Sequence, residues 1–344
     1  MAKLTIYKDT ITERNEKFEK LLLRTQDEMI DYVKSRLGNH GHVISGDGYV
    51  YHEGTFPVLL CAHMDTVHKE IPRTLVYANG TLSSTQGIGG DDRCGIYMIF
   101  KILKEYDCHV VFLEDEEIGC VGAKKFAKSW ICKKLKDKGD LKYIIEFDRK
   151  GNNHAVTYDC DNKEFDEFIT KEFFKKEYGT CSDISYIAPE LGIAAVNLSC
   201  GYYKEHNIEE WINLAEMETI IIEAKKVLER TKELETPFKY IKSYKRYGYG
   251  YNYWGDYGYD YYDNYRGYGY GGYSSYNSLS KGSAGNTYRT HDYDYDEYTF
   301  RYKSSDNCIV SVIVKEMTES LAYYKFFKEH PYVCFADIID VIEK

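Results

Sequence analysis

Apolar residues recur near helical spacing between Thr10 and Leu37, at Phe18, Leu21, Leu22, Met29, Ile30 and Val33. This predicts one long amphipathic helix over 10–37, with Gly38 as its stop. Two short alternating runs follow, His42–Ser45 and Tyr49–Tyr51, joined by Gly46-Asp47-Gly48 as a hairpin turn. Pro57 to Ala62 is then continuously apolar, the pattern of a strand buried on both faces. Beyond it the periodicity alternates: helix over 92–106, strand over 109–113, helix over 121–135, strand over 143–147, strand over 193–198 and helix over 214–234. Strands of a few apolar residues separated by helices indicate an α/β fold, a mostly parallel sheet sandwiched by helices. In such sheets ligands bind at the carboxyl ends of the strands.

Composition changes near residue 240. From Tyr244 to Tyr302 the chain is Tyr/Gly/Asp-rich and holds about half of the 36 tyrosines, with very few aliphatic residues. Such a stretch buries too little apolar area to offset its ordering entropy, so it is expected to be low-complexity and loosely structured. The chain therefore divides into 1–240, an α/β domain; 241–305, a Tyr/Gly/Asp-rich segment; and 306–344, a short strand-helix segment. In this last part 308–317 is expected as a strand, and 320–328 and 336–342 as short helices. Net charge is −10, which argues against a nucleic-acid footprint. The ten cysteines form no CxxC pair and are expected as reduced, mostly buried thiols. No stretch approaches the ~18 consecutive apolar residues of a membrane span, and the N-terminus shows no apolar signal region. A soluble, cytoplasmic protein is the expectation.

Candidate chemistry gathers just past the predicted strands. The strand over 58–62 ends in His63-Met64-Asp65, and the helix at 92 begins after Gly89-Gly90-Asp91. The strand over 109–113 runs into Glu114-Asp115-Glu116-Glu117, that over 143–147 ends in Asp148, and that over 193–198 precedes His206. Each piece has an ordinary reading by itself. His63 fits a loop histidine, Asp91-Asp92 a helix cap, and 114–117 a solvated acidic loop. Together they place carboxylates and imidazoles on one rim, and carboxylates crowded without a cation repel strongly. Mixed His and carboxylate donors favour zinc, cobalt or manganese over calcium.

Cys61-Ala62-His63-Met64-Asp65-Thr66, Gly90-Asp91-Asp92-Arg93-Cys94-Gly95 and Glu114-Asp115-Glu116-Glu117-Ile118-Gly119 with Gly122-Ala123 resemble the co-catalytic zinc metallopeptidases. That superfamily includes peptidase T, glutamate carboxypeptidase, acetylornithine deacetylase and the compact leucyl-type zinc aminopeptidases. The resemblance covers about residues 55 to 215 and implies a zinc-exopeptidase-like (phosphorylase/hydrolase) fold. It further implies two divalent metal ions, zinc or else cobalt or manganese, bridged by Asp91. His63 and Asp148 would complete one site, and Glu117 and His206 the other. Asp65 would orient His63, and Glu116 would be the general base. The resemblance also implies a cis peptide between Asp91 and Asp92. Among the other histidines, His68, His109 and His154 compete with His206 for the last position.

The implied activity is hydrolysis of an amide bond in a peptide, as an exopeptidase. An N-acyl amino acid deacylase on the same core, or a non-catalytic scaffold that assembles through its Tyr-rich segment, are the alternatives. Only 57 residues separate Asp148 from His206, too few for the lid domain of many relatives. Cys181-Ser182-Asp183 is read either as a pocket wall or as a helix cap. The Tyr-rich segment is read as a passive insertion, as a lid, or as a multivalent patch in which tyrosines contact Arg246, Arg266 and Arg289. Stacking on single-stranded bases is opposed there by Asp256, Asp260, Asp263, Asp292, Asp294 and Asp296.

Overall fold

Alternation within the apolar run at 57–62 has a direct structural outcome. Val58, Leu60 and Ala62 face one hydrophobic cluster and Leu59 and Cys61 the other, so this strand is buried from both sides. The structure, a computed structural model, describes residues 4–243, 296–303, 309–316 and 338–343.

The chain opens with β1 (Thr5–Lys8), then α1 (Glu16–Leu22) and α2 (Gln26–Leu37). The single helix expected over 10–37 is thus two. Thr25 accepts from the backbone of Glu28 while Glu28 reaches back to Thr25, a capping box that starts a new helix at Gln26. Hairpin β2 (Val43–Gly46) and β3 (Tyr49–His52) turns through Asp47-Gly48 in the expected place. Next come β4 (Phe56–His63) and a second hairpin, β5 (Thr74–Ala78) and β6 (Thr81–Ser84). Its Asn79-Gly80 turn, with φ of 47° and 76°, carries a strong hairpin signature that the periodicity reading passed over.

After α3 (Gly90–Ile102) and β7 (Cys108–Leu113), the helix expected over 121–135 is also split, into α4 (Val121–Ala127) and α5 (Trp130–Lys138). Lys128 closes the first, and Ser129 caps the second by accepting from Cys132 N–H at 3.1 Å. Then follow β8 (Tyr143–Arg149), β9 (His154–Val156), α6 (Lys163–Ile169), β10 (Lys175–Lys176), α7 (Ile184–Leu191), β11 (Ala195–Ser199), β12 (Tyr202–Tyr203), β13 (Trp211–Asn213) and α8 (Leu214–Thr231).

The main sheet has eight strands in the order β10-β9-β11-β8-β4-β7-β3-β2, with the central run β11-β8-β4-β7 wholly parallel. One core packs this sheet against α1, α2, α3 and α8, the other against α4, α5 and α7. The expected α/β sandwich is therefore the architecture. A second, five-stranded sheet, β1-β5-β6-β13-β12, is antiparallel except for β1 with β5. Gly95 lets α3 approach the main sheet: a Cβ there would lie 2.1 Å from the carbonyl oxygen of Phe147.

Toward the C-terminus, β14 (Asp296–Lys303), β15 (Ile309–Glu316) and β16 (Ile338–Glu343) form an antiparallel sheet in the order β15-β14-β16. The expected strand over 308–317 is β15. The helix expected over 336–342 is instead strand β16, because Ile338-Ile339-Asp340-Val341-Ile342 is dominated by β-branched residues that suit a pleated ladder. β14 falls inside the stretch that composition set apart, and Tyr298-Thr299-Phe300 explains why a strand forms there. The helix expected over 320–328, and the Tyr-rich residues 244–295, lie outside the described residues. Among the described residues no helix is long and apolar enough to cross a membrane. The eight described cysteines are free thiols, and all but Cys181 are buried.

Candidate metal centre

Parallel neighbours β4, β7 and β8 end on the same rim, so their last residues meet. His63 closes β4, Asp148 is the penultimate residue of β8, and Glu116 and Glu117 follow β7. Asp91 comes from the first turn of α3, where Asp91 and Asp92 keep non-helical dihedrals and are joined by a cis peptide bond. His206 comes from the loop between β12 and β13, at φ of 60°, a left-handed conformation uncommon for a side-chain-bearing residue.

Two clusters result, sharing Asp91. In one, His63 Nε2 stands 2.9 Å from Asp91 Oδ1 and 3.4 Å from Asp148 Oδ1. In the other, His206 Nε2 stands 3.2 Å from Asp91 Oδ2 and 3.0 Å from Glu117 Oε2. Within each cluster one nitrogen and two carboxylate oxygens lie within 4.8 Å of one another. Asp65 accepts from His63 Nδ1 at 3.1 Å, which turns Nε2 toward Asp91. The same carboxylate accepts the backbone N–H groups of Glu116 and Glu117, both at 3.0 Å.

Electrostatics follow from this crowding. Burial and then the Asp148 charge push Asp91 up to about 6 against the pull of His206 and His63. Asp91 and Glu117 together raise His206 to about 11. Burial opposes a charge on His63, but Asp148, Asp65 and Asp91 outweigh it and hold the imidazole well above its usual value. Burial likewise works against Asp65, yet His63 and the two backbone donors lower it to about 2. Glu116 is pushed up to about 7, first by burial, then by Asp148, Asp91 and Glu117, with His63 opposing.

A donor set of imidazole nitrogens and carboxylate oxygens suits zinc, cobalt or manganese. Glu117 Oε1 is buried with no hydrogen-bond partner among the described residues, as expected of an atom reserved for a cation. The residues present therefore fit two divalent ions.

Of the competing histidines, His68 bonds Glu210 at 3.0 Å, His109 bonds Tyr51 at 2.7 Å, and His154 stands beside Gly151. None joins either cluster. Ser182 turns toward the centre: its hydroxyl donates to Asp148 Oδ2 at 2.8 Å. Asp183 takes the N-cap position of α7 without any side-chain capping bond, and both its carboxylate oxygens are buried without a hydrogen-bond partner among the described residues.

Three supporting residues escaped the sequence reading. Tyr202 donates to Asp148 Oδ1 at 3.2 Å, and Asn197 binds the backbone N–H and carbonyl of Asp148, each at 2.9 Å. Glu210, fully buried, accepts the N–H groups of Gly89 and Asp91, both at 2.9 Å. Their only sequence signal was proximity to the last sheet strand and to His206.

No protein-family model matches the chain, and no curated protein does. Solved structures do. Aminopeptidase PepT from Bacillus cereus is 15% identical, with a TM-score of 0.52 over 63% of this chain and 97% of that one. The chain has the zinc-exopeptidase fold. A tripeptidase from Staphylococcus aureus is 13% identical, with a TM-score of 0.48 over 64% of this chain and 98% of that one. An aminopeptidase from the archaeon Desulfurococcus kamchatkensis is 16% identical, with a TM-score of 0.48 over 62% and 94%. At these identities the likeness is one of fold, and within that fold the two clusters sit at the carboxyl ends of the central strands.

Proposed function

We propose that this chain is a two-metal amide hydrolase acting on peptides as an exopeptidase. The observation that carries the reading is the pair of clusters sharing Asp91, with Glu116 beside them. His63, Asp91 and Asp148 would hold one ion, and Asp91, Glu117 and His206 the other. Divalent cations there would polarise the amide carbonyl and lower the pKa of the attacking water.

The remaining steps belong to the protein. Asp65 keeps the proton of His63 on Nδ1 and leaves Nε2 free to ligate. The backbone bonds from Glu116 and Glu117 to Asp65 fix the loop that carries both side chains. Glu116 takes a proton from water and returns it to the leaving amine, so the amine departs neutral. The shared fold with an aminopeptidase supports the peptide as substrate. We assign this activity to residues 1–240, with 241–305 and 306–344 outside the catalytic domain.

Metal analysis of the purified protein together with hydrolysis of N-free and N-blocked peptides tests the reading. The expected result is about two equivalents of zinc, cobalt or manganese per chain and release of terminal residues from N-free peptides. Less than one equivalent, with no loss of thermal stability on chelation, would overturn it. Cleavage of N-acyl amino acids alone would move the assignment to a deacylase.

A further inference from the structure

The eight described cysteines fall into two chemical groups. Six of them, Cys61, Cys94, Cys108, Cys132, Cys160 and Cys200, are buried, and burial pushes each thiol up, away from the reactive thiolate. Cys120 and Cys181 differ. Cys120 is the N-cap residue of α4, Cys181 lies just ahead of α7, and the two thiols share a hydrogen bond. The helices hold that meeting in place. Ala123 and Phe126 pack in one core cluster with Ile184, Ile187 and Ala188, and the Lys124 ammonium stands 4.7 Å over the Tyr186 ring.

The pair is chemically unequal. Cys181 is exposed, and the hydrogen bond from Cys120 lowers its thiol to about 6, helped by Ser185, Tyr186 and Lys124 against its partial burial. Cys120 is 5% exposed, and the bond to Cys181 together with burial pushes it up, so it keeps its proton. Its Sγ also lies 3.5 Å from Glu116 Oε1, so that single proton faces an acceptor on either side. An exposed thiolate beside a second, protected thiol is the arrangement of an attacking and a resolving cysteine. Both members adjoin the candidate centre. Cys120 touches Glu116, and Cys181 precedes Ser182, whose hydroxyl donates to Asp148 Oδ2 at 2.8 Å.

We propose that Cys120 and Cys181 are a site of reversible thiol oxidation, closed to a disulfide by exchange with a low-molecular-weight disulfide. The Cys181 thiolate attacks one sulfur of that disulfide, forming a mixed disulfide and releasing the other half as a thiolate. Cys120 Sγ then attacks Cys181 Sγ, and the second half departs as a thiol carrying the Cys120 proton. The two protein thiols are oxidised by two electrons and the small disulfide is reduced to two thiols. Closing the bond removes the S–H that Cys120 offers Glu116 and ties the 116–120 loop to the segment that carries Ser182. The bond itself stands on the two cysteines alone; its effect on hydrolysis rests on the two-metal hydrolase reading.

The full chain, equilibrated with oxidised and reduced glutathione at graded ratios, quenched with acid, alkylated and mapped by tandem mass spectrometry, tests the bond. The expected product is a 120–181 disulfide that forms before any other described cysteine is modified and that reduced glutathione reopens. Cys120→Ser should stall with glutathione attached to Cys181, and Cys181→Ser should leave Cys120 unmodified. Both thiols still alkylated at the most oxidising ratio, or glutathione retained on Cys181 of the unaltered chain, would overturn the site. Peptide turnover of the metal-loaded protein then reads the effect on Glu116. Closing the bond should lower kcat by about tenfold or more, with Cys181→Ser insensitive to oxidised glutathione. A mapped disulfide with unchanged kcat refutes the coupling to Glu116. A reduced protein that hydrolyses no peptide counts against the hydrolase reading, while the mapped disulfide still decides the oxidation site.

Discussion

His63 and His109 stand on neighbouring strands of the same sheet, each 1% exposed, and burial has opposite outcomes for them. His109 sits near the start of β7, where its Nδ1 meets the Tyr51 hydroxyl at 2.7 Å. Desolvation dominates there and lowers its pKa to about 4, so the ring stays neutral. His63 ends β4, among Asp65, Asp91 and Asp148, which overcome the same desolvation. A buried histidine is thus by itself no sign of a metal site. What distinguishes the His63 end of the sheet is carboxylates in excess of the groups that could neutralise them.

The largest effect that tests this contrast is chemical. Glu116→Gln should keep its metal content yet lose about 10²–10⁴-fold in kcat. Unchanged turnover would remove Glu116 as the base.

The opposite end of the sheet is probed by acid. The folded-state pKa of His109 lies below the ordinary 6.5, so protonation favours the unfolded chain. Its contribution is intact above pH 6.5 and is lost as the pH falls toward 4, on the order of 3 kcal/mol in all. Denaturant unfolding at several pH values checks this against His109→Phe, whose profile should be flatter across that window. Parallel profiles would sink the idea.

A smaller effect separates orientation from ligation. Asp65→Asn should weaken metal affinity by ten- to a hundredfold, measured by competition with a chelator, because the ring of His63 loses its charged partner. Smallest is Tyr51→Phe, which strips His109 Nδ1 of its partner and should cost about 1–2 kcal/mol of stability without altering metal content.

Much of this contrast was legible along the chain, because the motifs of the candidate site are local. His63 and Asp65 are two residues apart, Glu116 and Glu117 are adjacent, and each follows an apolar run whose parallel sense follows from the helices that alternate with the strands. Supporting residues were not legible for the opposite reason. Glu210 reaches Asp91 across 119 residues and Tyr202 reaches Asp148 across 54, so their roles exist only once the fold has brought them together. Element boundaries failed where a cap outweighed periodicity, at Thr25 and Ser129. The expected helix over 336–342 is a strand because its run is dominated by β-branched residues that prefer one.

The placement of the shared aspartate sets an order of assembly. A chain emerging from its N-terminus has His63, Asp91 and Asp148 available once residue 148 has been made. The second cluster waits for His206, and the clamp on the Asp91 backbone waits four residues longer, for Glu210. A nascent chain therefore acquires the donors of one cluster well before the other, and the backbone of the aspartate common to both is clamped only after the second histidine has arrived.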